Sequence, residues 1–199
     1  MDKFAKNYYK GLTDLINSIR VADKDRNIID FYTGIETVST LLISQVDSGH
    51  KLMFIGNGAS AAISSHMSTD FSKNVGIRAV AFNDSSLLTC ISNDYGYKHV
   101  FEKAIEMFAD KGDILFAISS SGNSENILSG VQAARTKECK VITLSGFDNN
   151  NPLSYLGDFN FYVPVKSYGH VEIIHHSICH CILDTIVSQR CTQTNAVKD

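Results

Sequence analysis

Residues 113–124, DILFAISSSGNS, decide the fold of this chain of 199 residues. An apolar run of strand length ends in three serines and a glycine, and residues 124–136 continue with apolar positions at helical spacing. This order predicts a buried strand, a glycine–serine loop and a helix in direct succession. Residues 51–61, KLMFIGNGASA, repeat the order, and a second helical stretch occupies residues 59–73.

Further apolar runs of the same kind lie outward from these two stretches. They occupy residues 77–82, 139–145 and 159–165, and helical spacing recurs at 86–108 and 170–190. Alternating strands and helices are typical of a parallel sheet that is covered on both faces. We therefore expect an α/β fold, a three-layer α/β/α sandwich whose mainly parallel sheet has one strand for each apolar run, five in all.

The first fifty residues have a different texture. Apolar residues at helical spacing run from Phe4 to Ile19 and again from Ile28 to Ile43, which predicts two extra N-terminal helices. We expect one domain over residues 1–190, with 1–50 as its helical N-terminal part. The remaining residues, 191–199, are expected to form a flexible tail.

Composition excludes several classes of protein. A formal net charge of −3 without a basic stripe argues against nucleic-acid binding. The apolar runs are too short to span a membrane, and MDKFAKNYYKGL lacks the apolar core of a signal peptide, so we expect a cytoplasmic protein without a membrane partner. The five cysteines form no CxxC pair and are expected to be reduced, mostly as small core residues.

The two glycine–serine loops predict a phosphate site. Ligands of open α/β sheets bind at the carboxyl ends of strands, and a helix N-terminus offers N–H groups with partial positive charge. The alternatives are a plain turn with a serine cap, or a dinucleotide site formed by Gly56-x-Gly58-x-x-Ala61 with Asp84. The dinucleotide reading leaves the serine-rich loop unexplained, and neither loop has the lysine of a Walker site. We therefore expect no nucleotide cofactor.

The order of the motifs resembles the sugar isomerase domain family, and within it the phosphoheptose isomerases. The motifs are GNGASA, then NDYGY at 93–97, then GDILFAISSSGNSENIL, then VITLSGFD, and the resemblance covers roughly residues 50–185. It implies conversion of sedoheptulose 7-phosphate into D-glycero-D-manno-heptose 7-phosphate, and a homotetramer with sites at subunit interfaces. It places phosphate contacts on Ser60, Ser119, Ser120, Ser121 and Ser124. It places other substrate contacts on Asn57, Gly58, Ala59, Asn93, Asp94 and Glu172.

The resemblance also implies one divalent metal ion per subunit, expected to be zinc. Its ligands would be His66, Asp70, Glu172 and His180, and both His66/Asp70 and the histidine-bearing final helix have the four-residue spacing of one helical face. Asp70 or Glu172 would be the catalytic base, with Asp70 favoured, and His180 or a water would return the proton. His175 and His176 match no ligand of the family, and a histidine on a buried helix more often bonds to a carbonyl oxygen, so both are left out of the site.

Several positions depart from the family pattern. Phosphoheptose isomerases usually have Glu at the position of Asp70, Gln at that of Glu172 and an acidic residue at that of Ile63. These departures keep three alternatives open: an isomerase of a different phosphosugar, a non-catalytic phosphosugar-binding regulatory or scaffold protein, and an ordinary hydrogen-bonded cluster in place of the metal. Four ionisable groups that converge on one site favour an enzyme.

Overall fold

The computed structural model describes the chain from residue 2 to residue 196, and its side chains from residue 3 to residue 191. The helices are α1 Asp2–Ile16, α2 Phe31–Asp47, α3 Ala59–Val75, α4 Ser85–Tyr95, α5 Val100–Phe108, α6 Glu125–Thr136 and α7 Tyr168–Ala196. The strands are β1 Arg20–Asp23, β2 Ile28–Ile29, β3 Leu52–Gly56, β4 Ala79–Ala81, β5 Ile114–Ser119, β6 Lys140–Gly146 and β7 Phe159–Val163. Two short 3₁₀ turns, Tyr97–His99 and Pro152–Tyr155, join them.

The described elements form one sheet with the strand order β2-β1-β7-β6-β5-β3-β4. The five strands from β3 to β7 are parallel, as predicted, whereas β1 pairs antiparallel with β7 and with β2. The mainly parallel α/β sheet is therefore confirmed. The predicted count of five strands is wrong, because the described chain contributes seven.

The two additional strands form a hairpin within the part that was predicted to be helical. Both predicted helices exist as α1 and α2, but the segment between them turns at Asp23, whose Oδ1 accepts hydrogen bonds from the backbone N–H groups of Asp25 and Asn27. Arg26 completes the turn with a φ of 67°. The carboxylate of Asp23 supplies the turn that residue spacing alone did not indicate.

Helices cover both faces of the sheet. Alternation along β3 sends Leu52 and Phe54 into a core with α2, α3 and α7, and sends Met53 and Ile55 into a second core with α4, α5 and α6. The three-layer arrangement is therefore confirmed. The first of these cores holds α7 against α3, which positions the site described below.

Helix α7 differs from its prediction in two respects. It continues past the expected boundary at residue 190 to Ala196, so the predicted tail is helical as far as the structure describes it, and residues 197–199 lie outside the described residues. Its sequence is also apolar nearly all round, which predicts a largely buried helix, but Ile173 is 44% exposed and Cys181 is exposed. Among the described residues, no helix has both the length and the apolar character needed to cross a membrane.

Candidate active site

The two glycine–serine loops meet at the carboxyl ends of neighbouring strands. Strands β3 and β5 pair in parallel, with Gly56 opposite Ile118, and each leads through its loop into a helix, α3 or α6. A Cβ at Gly56 would lie 2.5 Å from the backbone carbonyl group of Ser60, so only glycine allows the first loop to turn this tightly. The phosphate loops predicted from the sequence are therefore adjacent in space.

A cavity of about 140 Å³ opens where the loops meet. Its lining consists of Asn57, Ser60, Ile118, Ser119, Ser120, Ser121, Ser124, Tyr168 and Glu172. We call it the serine cavity. It brings together all five serines expected to bind phosphate, together with Asn57 and Glu172. Tyr168 was missed in the sequence; it lies one helical turn before Glu172, and its ring meets that of Phe147 edge-on at 4.8 Å.

The second glycine–serine loop, residues 119–124, leaves the start of α6 open to an anion. We call it the serine loop. Ser124 is the N-cap of α6, but its side chain makes no capping hydrogen bond, and its hydroxyl lies 3.4 Å from the Ser119 hydroxyl instead. Within the first turn, Asn126 Oδ1 accepts a hydrogen bond from the backbone N–H of Ile127 at 3.0 Å. The Ser119 hydroxyl also accepts a hydrogen bond from the backbone N–H of Gly122 at 3.2 Å. Hydroxyl groups therefore surround a helix N-terminus, which is an arrangement that suits a phosphate group.

An amide pair joins the two loops. Asn57 and Asn126 exchange two hydrogen bonds of 2.9 Å through their side chains, and the Tyr97 hydroxyl donates to Asn57 Oδ1 at 3.1 Å. Asn126 is buried, so the two hydrogen bonds between its side-chain amide and that of Asn57 are shielded from water. Neither Asn126 nor Tyr97 was assigned a role from the sequence, although both belong to motifs quoted there. The pair fixes the first loop relative to the start of α6.

Four of the predicted substrate contacts do not line the serine cavity within the described chain. Gly58 and Ala59 are exposed at the start of α3, beside Asn57. Asn93 and Asp94 are exposed near the end of α4, where Asn93 Nδ2 donates to Asp94 Oδ1 at 2.8 Å. A substrate contact of these four residues stays a prediction.

Three histidines form a second cluster where α3 and α7 pack together. One ligand atom from each of His66, His176 and His180 lies within 4.8 Å of the others. Asp70, four residues after His66 on α3, places its Oδ2 3.1 Å from His66 Nε2. We call these three imidazoles the histidine cluster.

His176 was left out of the predicted site, but the structure places it in the histidine cluster. Its Nε2 is buried without a hydrogen-bond partner among the described residues. Burial lowers the pKa of His176, and the nearby imidazoles of His180 and His66 lower it further. The neighbouring His175 behaves as predicted, since its Nε2 lies 3.1 Å from the carbonyl oxygen of Ser145, and complete burial lowers the pKa of His175 to about 4.

The histidine cluster fits a divalent metal. Imidazole is a common ligand of zinc and of several other transition metals, and an unpaired buried nitrogen beside two further imidazoles is a group that a metal would satisfy. Of the four predicted ligands, His66 and His180 belong to the cluster, and Asp70 adjoins it through His66. Glu172 is not among its described members; this carboxylate lines the serine cavity instead.

Comparison with known proteins identifies the family. The sugar isomerase (SIS) domain model matches residues 8–146, which is more than half of the chain. The chain belongs to the SIS domain family. It is 36% identical over 170 residues to the phosphoheptose isomerase of Helicobacter hepaticus, covering 82% of this chain and 86% of that protein.

Solved structures of two phosphoheptose isomerases are similar to this chain over most of its length. The phosphoheptose isomerase of Neisseria gonorrhoeae superposes with a TM-score of 0.82 at 28% identity, covering 94% of this chain and 98% of that one. The corresponding protein of Francisella tularensis gives 0.81, also at 28% identity, over 94% and 97% of the two chains. The NanR protein of Vibrio vulnificus, solved with ManNAc-6P, shares only 17% identity at a TM-score of 0.69 and covers 99% of this chain and 66% of that one. The NanR likeness shows a common fold and nothing more.

Proposed function

We propose that this SIS domain protein is an aldose–ketose isomerase that converts sedoheptulose 7-phosphate into D-glycero-D-manno-heptose 7-phosphate. The observation that carries the proposal is the lining of the serine cavity, which combines serine hydroxyls suited to a phosphate group with Glu172. Relatives that are named phosphoheptose isomerases and cover most of both chains support the choice of substrate.

The serine cavity would hold the phosphate end of the sugar. The hydroxyls of Ser119, Ser121 and Ser124 can donate hydrogen bonds to phosphate oxygens, and the N-terminus of α6 adds a partial positive charge. Anchoring at one end fixes where the other end of the open-chain sugar lies. Such positioning contributes to the rate because a reacting carbon is held beside its base.

The reaction moves one proton between two carbons. A carboxylate removes a hydrogen from C1 of the ketose as a proton; the C–H electron pair becomes the C1=C2 double bond, and the carbonyl electron pair moves onto the C2 oxygen. The carboxylate then returns the proton to C2, while the proton of the C1 hydroxyl passes to the C2 oxygen by way of water or the His180 imidazole. The product has an aldehyde at C1 and a hydroxyl at C2. Electrons balance without a redox cofactor.

A divalent metal, with zinc as the expected ion, would be held by His66, His176 and His180, with Asp70 beside His66. When bound, the ion would stabilise the negative charge that develops on the carbonyl oxygen. Asp70 either orients the His66 imidazole or adds an oxygen ligand, since its Oδ2 lies 3.1 Å from His66 Nε2.

We also propose that the protein acts in the cytoplasm as a homotetramer with active sites at subunit interfaces. Two observations support a site completed by a second copy. The predicted substrate contacts Asn93 and Asp94 lie outside the described lining of the serine cavity. Tyr168, which lines the cavity, exposes 62% of its surface, and Ile173, the residue after Glu172 on α7, exposes 44%.

Hydrogen exchange at carbon tests the proposed reaction. The purified protein is incubated in deuterated water with a panel of ketose and aldose phosphates, and NMR follows the carbon next to the carbonyl group. We expect deuterium at that carbon and conversion of sedoheptulose 7-phosphate, with no reaction of unphosphorylated sedoheptulose, because the serine cavity then has no phosphate to hold. Exchange with another sugar phosphate alone would identify a different isomerase. Binding without any exchange would identify a phosphosugar sensor or scaffold.

A further inference from the structure

We propose that Glu172 and His176, one turn apart on α7, divide the chemistry: Glu172 is the proton-transfer base, and His176 is a metal ligand. This inference rests on the proposed function. The prediction made from the sequence left Asp70 and Glu172 open as the base and favoured Asp70. It also made Glu172 a metal ligand and gave His176 no part in the site.

A stripe of four residues along α7 carries the inference. Tyr168, Glu172, His176 and His180 recur every four residues and therefore share one face, with a rise of about 6 Å from each to the next. Tyr168 and Glu172 line the serine cavity, whereas His176 and His180 belong to the histidine cluster. This face of α7 therefore contributes to the serine cavity up to Glu172 and to the histidine cluster from His176 onward.

His176 has the surroundings of a metal ligand. Its ring centroid lies 4.8 Å from that of His66 and 4.7 Å from that of His180, so it stands between the two helices that carry the cluster. Its buried Nε2 lacks a partner among the described residues, and an unsatisfied buried nitrogen costs free energy unless something binds it. A metal ion shared with His66 and His180 would remove that cost.

Glu172 has the surroundings of a base. Glu172 lines the serine cavity and is absent from the histidine cluster, which includes no carboxylate among the described residues. Asp70, the other candidate, lies 3.1 Å from the His66 imidazole and is partnered there. Glu172 is therefore the carboxylate that a sugar in the serine cavity would contact. It takes the proton from C1 as the C1=C2 bond forms and gives the same proton to C2 as that double bond is lost.

Two readouts separate the two roles. The first is zinc affinity, measured by competition with a coloured chelator in the absence of any sugar. The second is deuterium exchange into sedoheptulose 7-phosphate with the metal supplied in excess. The variants are His176→Ala, with His176→Gln as a shape-preserving second choice, and Glu172→Gln. His50→Ala is the matched control, because His50 lies before β3 and packs beside Gly112 instead of the cluster.

We expect loss of the His176 imidazole to weaken zinc binding by more than about 100-fold, beyond the roughly 10- to 100-fold that removal of a group supporting a ligand costs. Glu172→Gln should bind zinc within about threefold of the native protein, yet exchange at least about 100-fold more slowly, the loss typical of a missing general base. His50→Ala should match the native protein in both measurements.

Three results would overturn the division of roles: zinc affinity that survives both His176 substitutions, zinc affinity that is lost in Glu172→Gln, or exchange that persists in Glu172→Gln. Failure of the proposed function would look different, because the native protein would then exchange no sugar phosphate at all. The zinc measurements would still decide whether His176 is a ligand in that case.

Discussion

Neither lysine nor arginine lines the serine cavity, so phosphate binding there would have to rely on hydroxyl groups and on the N-terminus of α6. Ser124 occupies the N-cap of α6 but does not close that end with its side chain, so its hydroxyl can turn to a ligand. Such an interaction acts on the substrate and the transition state alike, because the phosphate does not change during the reaction.

Ser124→Ala should therefore raise KM for the sugar phosphate by roughly 10- to 100-fold, the value of one hydrogen bond to a charged group, with little change in kcat. Steady-state kinetics of the variant provide the measurement. Ser129→Ala, on the same helix but outside the lining of the serine cavity, serves as the control. A fall in kcat with unchanged KM would contradict a role in phosphate binding.

The adjacent residues His175 and His176 mark what the sequence could and could not predict at this scale. The serines lie in glycine-rich loops at strand ends, and the family resemblance added Asn57 and Glu172 as substrate contacts, so their meeting in one cavity could be anticipated. Neighbouring residues on a helix point about 100° apart. His175 contacts the carbonyl oxygen of Ser145 in β6, and His176 meets α3. The four-residue spacing of Glu172, His176 and His180 did indicate that His176 shares their face of α7. His176 was left out because it matches no metal ligand of the family.

The serine loop requires glycine at a position where a side chain would clash with a neighbouring residue. Gly122 has a φ of 64°, and a Cβ there would lie 1.9 Å from Asn151 Oδ1. Its carbonyl oxygen also accepts a hydrogen bond from the backbone N–H of Leu153 at 3.1 Å. The serine loop is therefore held against the segment that follows β6.

Gly122→Ala should lower the free energy of unfolding by more than the approximately 1–3 kcal/mol of backbone strain alone, because the added methyl group also displaces Asn151. Gly49→Ala is the matched control: Gly49 has a φ of 92°, but a Cβ there meets nothing within 4 Å in the described chain. Urea unfolding of both variants measures the difference. Equal losses in the two would show that Asn151 moves aside without cost.

The hairpin of β1 and β2 shows where element prediction failed and why. Strand β2 has only two residues and β1 four, which is too short for a clear alternating pattern, and the surrounding isoleucines also fit helical spacing. Pairing with the edge of β7 stabilises the hairpin, and that long-range contact is invisible in the local sequence. The buried parallel strands could be predicted because each is a continuous apolar run.

At the scale of the whole molecule, the reactivity of the cysteine thiols can show which surfaces are buried. Burial raises the pKa of Cys139 to about 11 and that of Cys179 to about 12, so neither thiol should react in the folded protein. Cys90, Cys181 and Cys191 are exposed in the single chain, contrary to the expectation that most of the cysteines lie in the core. Cys181 shares the exposed face of α7 with Ile173.

We expect assembly of subunits through the exposed face of α7 to protect the Cys181 thiol from alkylation. In the native protein we expect fast alkylation of Cys90 and Cys191 and slow alkylation of Cys181, followed residue by residue with mass spectrometry. Ile173→Lys should restore Cys181 labelling and reduce the assembled mass seen by light scattering, because a lysine ammonium is costly to bury in an apolar contact. Met107→Lys, at another exposed apolar position, is the control. Rapid labelling of Cys181 in a protein of tetrameric mass would place the interface elsewhere.

The amide pair of Asn57 and Asn126 has a consequence for the timing of substrate capture. Ordering a flexible loop costs about 1–2 kcal/mol of conformational entropy for each residue, and here that ordering takes place when the chain folds. A sugar phosphate would therefore meet two loops that already hold their bound arrangement. Its affinity would not be reduced by loop ordering, and its association rate would follow diffusion and charge instead of a preceding conformational step.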